Sequence, residues 1–385
     1  MNSKSFSPQS KLPGVGTSIF SVMSALARKH DAINLSQGFP DFDPDPGLRK
    51  LVADAMNSGG NQYAPSYGIP SLREGISSLA ETFYSAKYDP ETEITVTSGA
   101  TEGLFCALAA VVREGDEVIV FEPAYDSYVP VIKLFGGIPV FISLNYPDYQ
   151  VDWEAVKKRV TSKTRVIMIN SPHNPSGAAL TAQDMENLVK IVRNNNIFII
   201  SDEVYENIIF DGLEHQSAAR FPRLAERSFI ISSFGKNYHA TGWKVGYCLA
   251  PADLTAEFRK IHQFNTFSTA TPFQLAFSEY IKDLSRLRDL AAIYQEKRDF
   301  FRRQILGSRF KTLACSGTYF QLLGYDRITT EADTEFAKQM TIGNKLASVP
   351  VSVFYHQGED HKVLRFCFAK AKETLEKAGE ILQKL

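Results

Sequence analysis

The chain has 385 residues, enough for two domains, and its 44% hydrophobic and 22% charged residues are an ordinary globular mix. The formal net charge is −1 with no long run of like charge, which leaves no electrostatic footprint for nucleic acid or an anionic membrane. The opening MNSKSFSPQSKLPG lacks the apolar core of a signal peptide, and no apolar stretch is long enough to span a bilayer, so a cytoplasmic location is expected.

Residues 1–16, rich in Ser, Pro and Gly, read as an irregular arm. From Thr17 to His30, Phe20, Met23 and Leu26–Ala27 recur at helical spacing. The turn-rich stretch Ser36-Gln37-Gly38-Phe39-Pro40-Asp41-Phe42-Asp43-Pro44 follows. Short apolar runs then read as strands over 94–97, 118–121, 166–170, 198–201, 229–232 and 245–250, with a helix over 101–112. Almost wholly apolar strands separated by helices predict an α/β fold, a mostly parallel sheet with helices on both faces. Ligand-facing residues then belong just past the strands' C-terminal ends. Those positions hold Thr97-Ser98-Gly99, Glu122-Pro123, Asn170-Ser171-Pro172, Asp202-Glu203 and Ser233. From about 276 the texture changes. A charged helix over 280–307, extended segments at 318–323, 352–355 and 364–368, a helix near 333–346 and a last one from 371 predict a smaller α+β domain. The expected division is an arm over 1–16, a large domain over 46–275, and a small domain built from 17–45 and 276–385.

Gly14-Val15-Gly16 begins like a dinucleotide fingerprint but lacks the third glycine and a preceding strand. P-loop, HExxH and GxSxG motifs are absent, and the seven histidines lack metal-ligand spacing, so no metal is expected. Cys106, Cys248, Cys315 and Cys367 form no CxxC pair and sit among apolar neighbours, as buried free thiols do.

Four segments carry candidate chemistry. In Ser232-Ser233-Phe234-Gly235-Lys236, a lysine stands just past a buried strand; it is either an ordinary solvated side chain or a nucleophile whose pKa desolvation lowers. In Phe198-Ile199-Ile200-Ser201-Asp202-Glu203-Val204-Tyr205, an apolar strand ends in two carboxylates; Asp202 either faces a ligand crevice or caps a helix. In Asn170-Ser171-Pro172-His173-Asn174-Pro175-Ser176-Gly177, two prolines and a glycine force an irregular loop, and Asn174, held extended before Pro175, projects its amide outward. Thr97-Ser98-Gly99-Ala100-Thr101-Glu102 joins a strand to a helix; it is either a capped turn or a phosphate seat of backbone N–H groups at a helix N-terminus.

In this order and spacing, the four segments resemble class I and II aminotransferases of the fold type I pyridoxal-phosphate family, from about Gly16 to Leu385. Ser36-Gln37-Gly38-Phe39-Pro40-Asp41-Phe42, Asn61-Gln62-Tyr63-Ala64, His173-Asn174-Pro175-Ser176-Gly177, Ser233-Phe234-Gly235-Lys236 and Thr241-Gly242-Trp243-Lys244-Val245-Gly246 resemble the methionine, kynurenine and glutamine transaminase K branch. The resemblance implies pyridoxal 5′-phosphate on Lys236 as the Schiff-base lysine and proton shuttle. It implies Asp202 on the pyridine nitrogen, and Tyr205 and Asn174 on the ring's phenolic oxygen. Gly99, Ala100, Thr101, Ser233 and Lys244 would seat the phosphate, Tyr125 would stack on the ring, and Tyr63 would reach the phosphate of a partner subunit. A homodimer with shared sites follows. Arg365, mid-strand in Val363-Leu364-Arg365-Phe366-Cys367-Phe368, is costly to bury unless paired; the family uses it to clamp the substrate α-carboxylate, joined by the Gly38 N–H.

Phe264-Asn265-Thr266-Phe267-Ser268-Thr269-Ala270-Thr271-Pro272 holds no second arginine of the kind aspartate-type relatives carry. An apolar lining from Ile19, Phe39, Phe267, Phe354 and Tyr355 is expected instead, with a neutral donor (methionine, aromatic, kynurenine or glutamine type) passing its amino group to a 2-oxo acid. A cysteine-conjugate β-lyase would use the same Lys236. A non-catalytic regulatory relative would carry an added DNA-binding module, for which the short arm has no room.

Overall fold

The structure, a computed structural model, describes residues 9–385; residues 1–8 of the expected arm lie outside the described residues. Seven strands form the central sheet among the described residues, numbered here along the chain: β1 (Ile94–Thr97), β2 (Glu117–Glu122), β3 (Ile138–Ser143), β4 (Thr164–Asn170), β5 (Phe198–Asp202), β6 (Ser228–Ser233) and β7 (Gly246–Leu249). Their order is β1-β7-β6-β5-β4-β2-β3. β7 runs antiparallel to both neighbours, and every other adjacent pair is parallel.

Side chains of a strand alternate between faces, and here both faces are apolar. Ile119, Ile167, Ile199 and Ile230 join one buried cluster. Val118, Val166, Ile200 and Ile231 join another. Each such side chain contributes about 1.5–3 kcal/mol on full burial. Helices cover both faces, which is why these strands read as continuous apolar runs rather than alternating ones.

A third cluster gathers the two ends of the chain, Met23 and Leu35 with Leu290, Phe301, Leu364, Phe366 and Leu382. It packs on one face of a four-stranded antiparallel sheet in the order Val349–Pro350, Val363–Cys367, Phe320–Gly324, Lys311–Thr312, while Leu322, Val349 and Val363 join the first cluster. Ile33–Asn34 pairs in parallel with Leu346–Ala347 and ties the early segment to the late one.

Two elements differ from expectation. β3, which the apolar runs did not announce, is an edge strand with a proline and a half-exposed Ile138. Residues 352–355, expected to be extended, form a 3₁₀ turn over Ser352–Phe354. The Asp333 carboxylate accepts from Ser352 N (2.7 Å) and Ser352 Oγ (2.6 Å) and holds that turn. Among the described residues, no helix is long and apolar enough to cross a membrane.

Candidate active site

The ends of β4, β5 and β6, the turn after β1 and the approach to β7 open on one cavity of about 240 Å³. Register explains the gathering: Thr97 and Ser233 both pair with Gly246, and Asn170 pairs with Asp202.

One end suits an anion. The helix Gly99–Val111 begins two residues before the expected start and points its N-terminus into the cavity. Gly99 has φ +73°, and a Cβ there would stand 3.1 Å from Lys244 Nζ, so only glycine lets the lysine come so near. Lys244 Nζ donates to Thr101 Oγ1 at 3.4 Å, and burial lowers its pKa. Ala100 and Ser233 line the same end.

The middle holds an acid and an amine. Asp202, 3% exposed, ends β5; its Oδ2 accepts from Tyr128 Oη at 2.5 Å and its Oδ1 from Val204 N at 3.3 Å. Burial raises its pKa to about 6 against the pull of those bonds. Lys236 sits in the short helix Phe234–Asn237, directly after β6. Gly235 before it allows no side chain, since a Cβ would meet Thr241 Cα at 3.0 Å. Burial lowers the Lys236 pKa to about 8. Its Nζ donates to Tyr319 Oη (2.8 Å) and to Gly38 O (3.4 Å).

The far wall belongs to the small sheet. Arg365, 1% exposed, leaves Val363–Cys367 and donates from one terminal nitrogen to Asn174 Oδ1 (2.7 Å) and from the other to Ser36 O (3.1 Å). Its Nε has no partner, and the guanidinium lies 3.8 Å from the Phe320 ring centroid. Asn174 thus turns its amide inward to the arginine, not outward, while its N–H donates to Asn170 Oδ1. Tyr205 is buried beside Tyr319, edge to face at 5.1 Å, and Tyr125 meets Tyr128 at 5.6 Å.

The cavity brings together Gly38, Gly99, Ala100, Thr101, Tyr125, Asn174, Asp202, Tyr205, Ser233, Lys236, Lys244 and Arg365. Six expected residues stand outside it. Ile19 packs into the core clusters. Phe39 is 44% exposed and faces Lys370. Phe354 lies behind the wall, 5.8 Å from Phe20, and Tyr355 is buried edge-on to His361. Tyr63 and Phe267 are exposed and stack edge to face on each other at 5.2 Å. The apolar lining comes instead from Phe20, Leu104, Val204 and Phe320. Tyr128 on Asp202 and Tyr319 on Lys236 also belong to the site, though tyrosines inside apolar runs carry no sequence signal that separates them from core.

This donor set fits pyridoxal phosphate. An N-terminal helix turn with a lysine suits a phosphate, a buried carboxylate suits a ring nitrogen, and a desolvated amine suits an aldehyde carbon.

The profile of aminotransferase class I and II matches residues 30–382. Methionine aminotransferase of Escherichia coli K12 is 46% identical over 379 residues, 98% of each chain. Kynurenine–oxoglutarate transaminase of Dictyostelium discoideum is 33% identical, over 99% of this chain and 97% of that protein. The crystal structure of Escherichia coli YbdL, reported with a methionine aminotransferase function, superposes with a TM-score of 0.97 over 98% of this chain and 100% of its own. With the profile match and these likenesses running through nearly its whole length, this chain belongs to the class I and II aminotransferases.

Proposed function

We propose that this pyridoxal-phosphate-dependent enzyme takes the amino group from a neutral L-amino acid, with methionine, aromatic and kynurenine-type donors as the class, and gives it to a 2-oxo acid. The cavity's charge carries the donor class: among the described residues, Arg365 is the one arginine lining it, with an apolar wall of Phe20, Leu104, Val204 and Phe320. On this chain's side of the site, a second carboxylate would meet the apolar wall with no second arginine to pair it. The likeness to the methionine and kynurenine enzymes supports the same class.

Bound here, the cofactor supplies an electron sink, its protonated ring taking up the electron pair left when the substrate's α-C–H bond breaks. Asp202 would keep the proton on the ring nitrogen. Ala100, Thr101, Ser233 and Lys244 would hold the phosphate, Tyr205 and Asn174 the phenolic oxygen, and Tyr125 the ring face. Arg365 receives the substrate's α-carboxylate on its guanidinium fork, with the Gly38 N–H beside it. Lys236 Nζ takes the proton from the α-carbon. Its lowered pKa leaves a useful fraction as free amine near neutral pH, which an ordinary lysine does not offer.

A homodimer with shared sites belongs to the same proposal. Tyr63 is 83% exposed on its own chain and stands outside its own cavity, as a residue serving a second copy would. The test of the donor class is a half-reaction series with L-methionine, L-kynurenine, L-phenylalanine and L-aspartate. Neutral donors should convert the cofactor to its amino form at least about a hundredfold faster per mole than aspartate, the discrimination of about 3 kcal/mol that an unpaired buried charge imposes. Equal rates with aspartate would contradict it.

A further inference from the structure

Lys236 must change its protonation state at least twice in each turnover on the reading just given, and this inference rests on that reading. A buried amine needs partners in both states, because an unpaired buried polar group is costly. The structure places two partners on Nζ, Tyr319 Oη at 2.8 Å and Gly38 O at 3.4 Å. These two also bond each other, Tyr319 Oη donating to Gly38 O. The phenol is fully buried, and burial holds its proton on well above neutral pH.

The triangle has two settings. With Lys236 as ammonium, Nζ donates to the Tyr319 oxygen and to Gly38 O, and the phenol's hydrogen points to Gly38 O. With Lys236 as free amine, the phenol can turn its hydrogen to the nitrogen lone pair while an N–H still points to Gly38 O. A hydroxyl both donates and accepts, so one rotation serves both states. Phenylalanine in its place would keep the packing and lose both settings. Gly38 is fixed for its part: a Cβ there would come within 2.8 Å of Phe320 Cζ.

We infer that Tyr319 is a catalytic residue that holds the Lys236 amine, released from the cofactor, in its proton-transferring position through both charge states. In the step it serves, the α-C–H bond breaks, the proton forms a bond to Nζ, and the electron pair passes to the cofactor ring. No further reactant is needed. The assignment also gives a purpose to the aromatic cluster of Tyr205, Tyr294 and Phe320, whose rings lie 4.9–5.7 Å from Tyr319 and leave its ring little room to swing away.

The test compares Tyr319→Phe with Tyr294→Phe in the cofactor-loaded enzyme. Tyr294 is the control, since its hydroxyl partners His239 Nδ1 at 2.9 Å and does not touch Lys236. Single-turnover rates are measured with L-methionine and with its α-deuterated form. For Tyr319→Phe the rate should fall at least about tenfold, part of the roughly 10²–10⁴ that positioned proton transfer supplies. The α-deuterium isotope effect should grow, the substrate concentration at half-maximal rate should stay near wild type, and the visible band of lysine-bound cofactor should persist. Tyr294→Phe should keep the wild-type isotope effect. A Tyr319→Phe enzyme with wild-type rate and isotope effect overturns the inference. So does equal slowing of both variants without a change in isotope effect, which is loss of packing. Lys236→Ala is run alongside: if it turns over normally, the fault lies in the role given to Lys236 and not in Tyr319.

Discussion

Burial sets the chemistry of single residues here, and each consequence can be measured. Lys236 has its pKa lowered to about 8 by desolvation, so its free amine grows in as pH rises through 8. The rate at which cofactor-free enzyme captures pyridoxal phosphate should follow that curve and level off by about pH 9; a rate still climbing at pH 10 would return Lys236 to an ordinary lysine. On the proposed reading, Arg365 gives the α-carboxylate its charged partner. Arg365→Ala should raise the KM for the amino acid roughly ten- to a hundredfold, as hydrogen bonds to charged groups contribute about 1.5–3 kcal/mol, with the cofactor band intact. An unchanged KM would remove the clamp. Asp202→Asn should slow α-proton abstraction far more than it weakens cofactor binding, which single-turnover rates and cofactor titration separate. Arg365 stood out in the sequence because charge inside an apolar strand demands a reason, while Lys236 and Asp202 each left two readings open and stood out only through the order of the four segments. Tyr128 and Tyr319 did not, because the chain has 16 tyrosines and a phenol packs well with or without a task.

Elements position these groups through backbone that tolerates no side chains. Gly246 starts β7 where a Cβ would stand 2.5 Å from Ser232 O and 3.0 Å from Ala100 N. Gly246→Ala must therefore part β7 from β6 or from the anion-seating turn. We expect a loss of about 1–3 kcal/mol in denaturant unfolding and weaker cofactor retention; a variant as stable and as tightly loaded as wild type would show that the turn adapts. The buried strands β1, β2 and β4–β7 were readable because strands covered on both faces are apolar without interruption. β3 was missed, since an edge strand with a proline and exposed positions lacks that mark. Residues 352–355 were misread because Ser-Val-Phe-Tyr has strand composition, while the Asp333 carboxylate, distant in sequence, bonds Ser352 and fixes a turn. The residues expected to line the site stand outside this chain's own cavity for a related reason. Phe20 and Phe320 look no different in sequence from Phe267 or Tyr355, and only packing decides which ring meets the cavity.

At the scale of the whole molecule, the cavity joins the two sheets, with Asp202 at the end of β5, Lys236 in the short helix after β6 and Arg365 on the small sheet. Met23 and Leu35 join residues 290–382 in one cluster, so the chain's early segment belongs with its late ones. Tyr63 and Phe267 present an exposed aromatic pair outside the chain's own cavity. On the dimer proposal, sedimentation should show two chains per particle, and Tyr63→Ala should loosen cofactor binding without lowering the chain's own stability. A monomer with full activity would reject shared sites. Amino transfer from a neutral donor through Lys236 can be followed in the visible absorbance of the cofactor-loaded enzyme on adding L-methionine without an acceptor. The lysine-bound band should collapse to that of the amino form and return when a 2-oxo acid is added. A band that stays unchanged with methionine and with every other neutral donor would rule this transfer out.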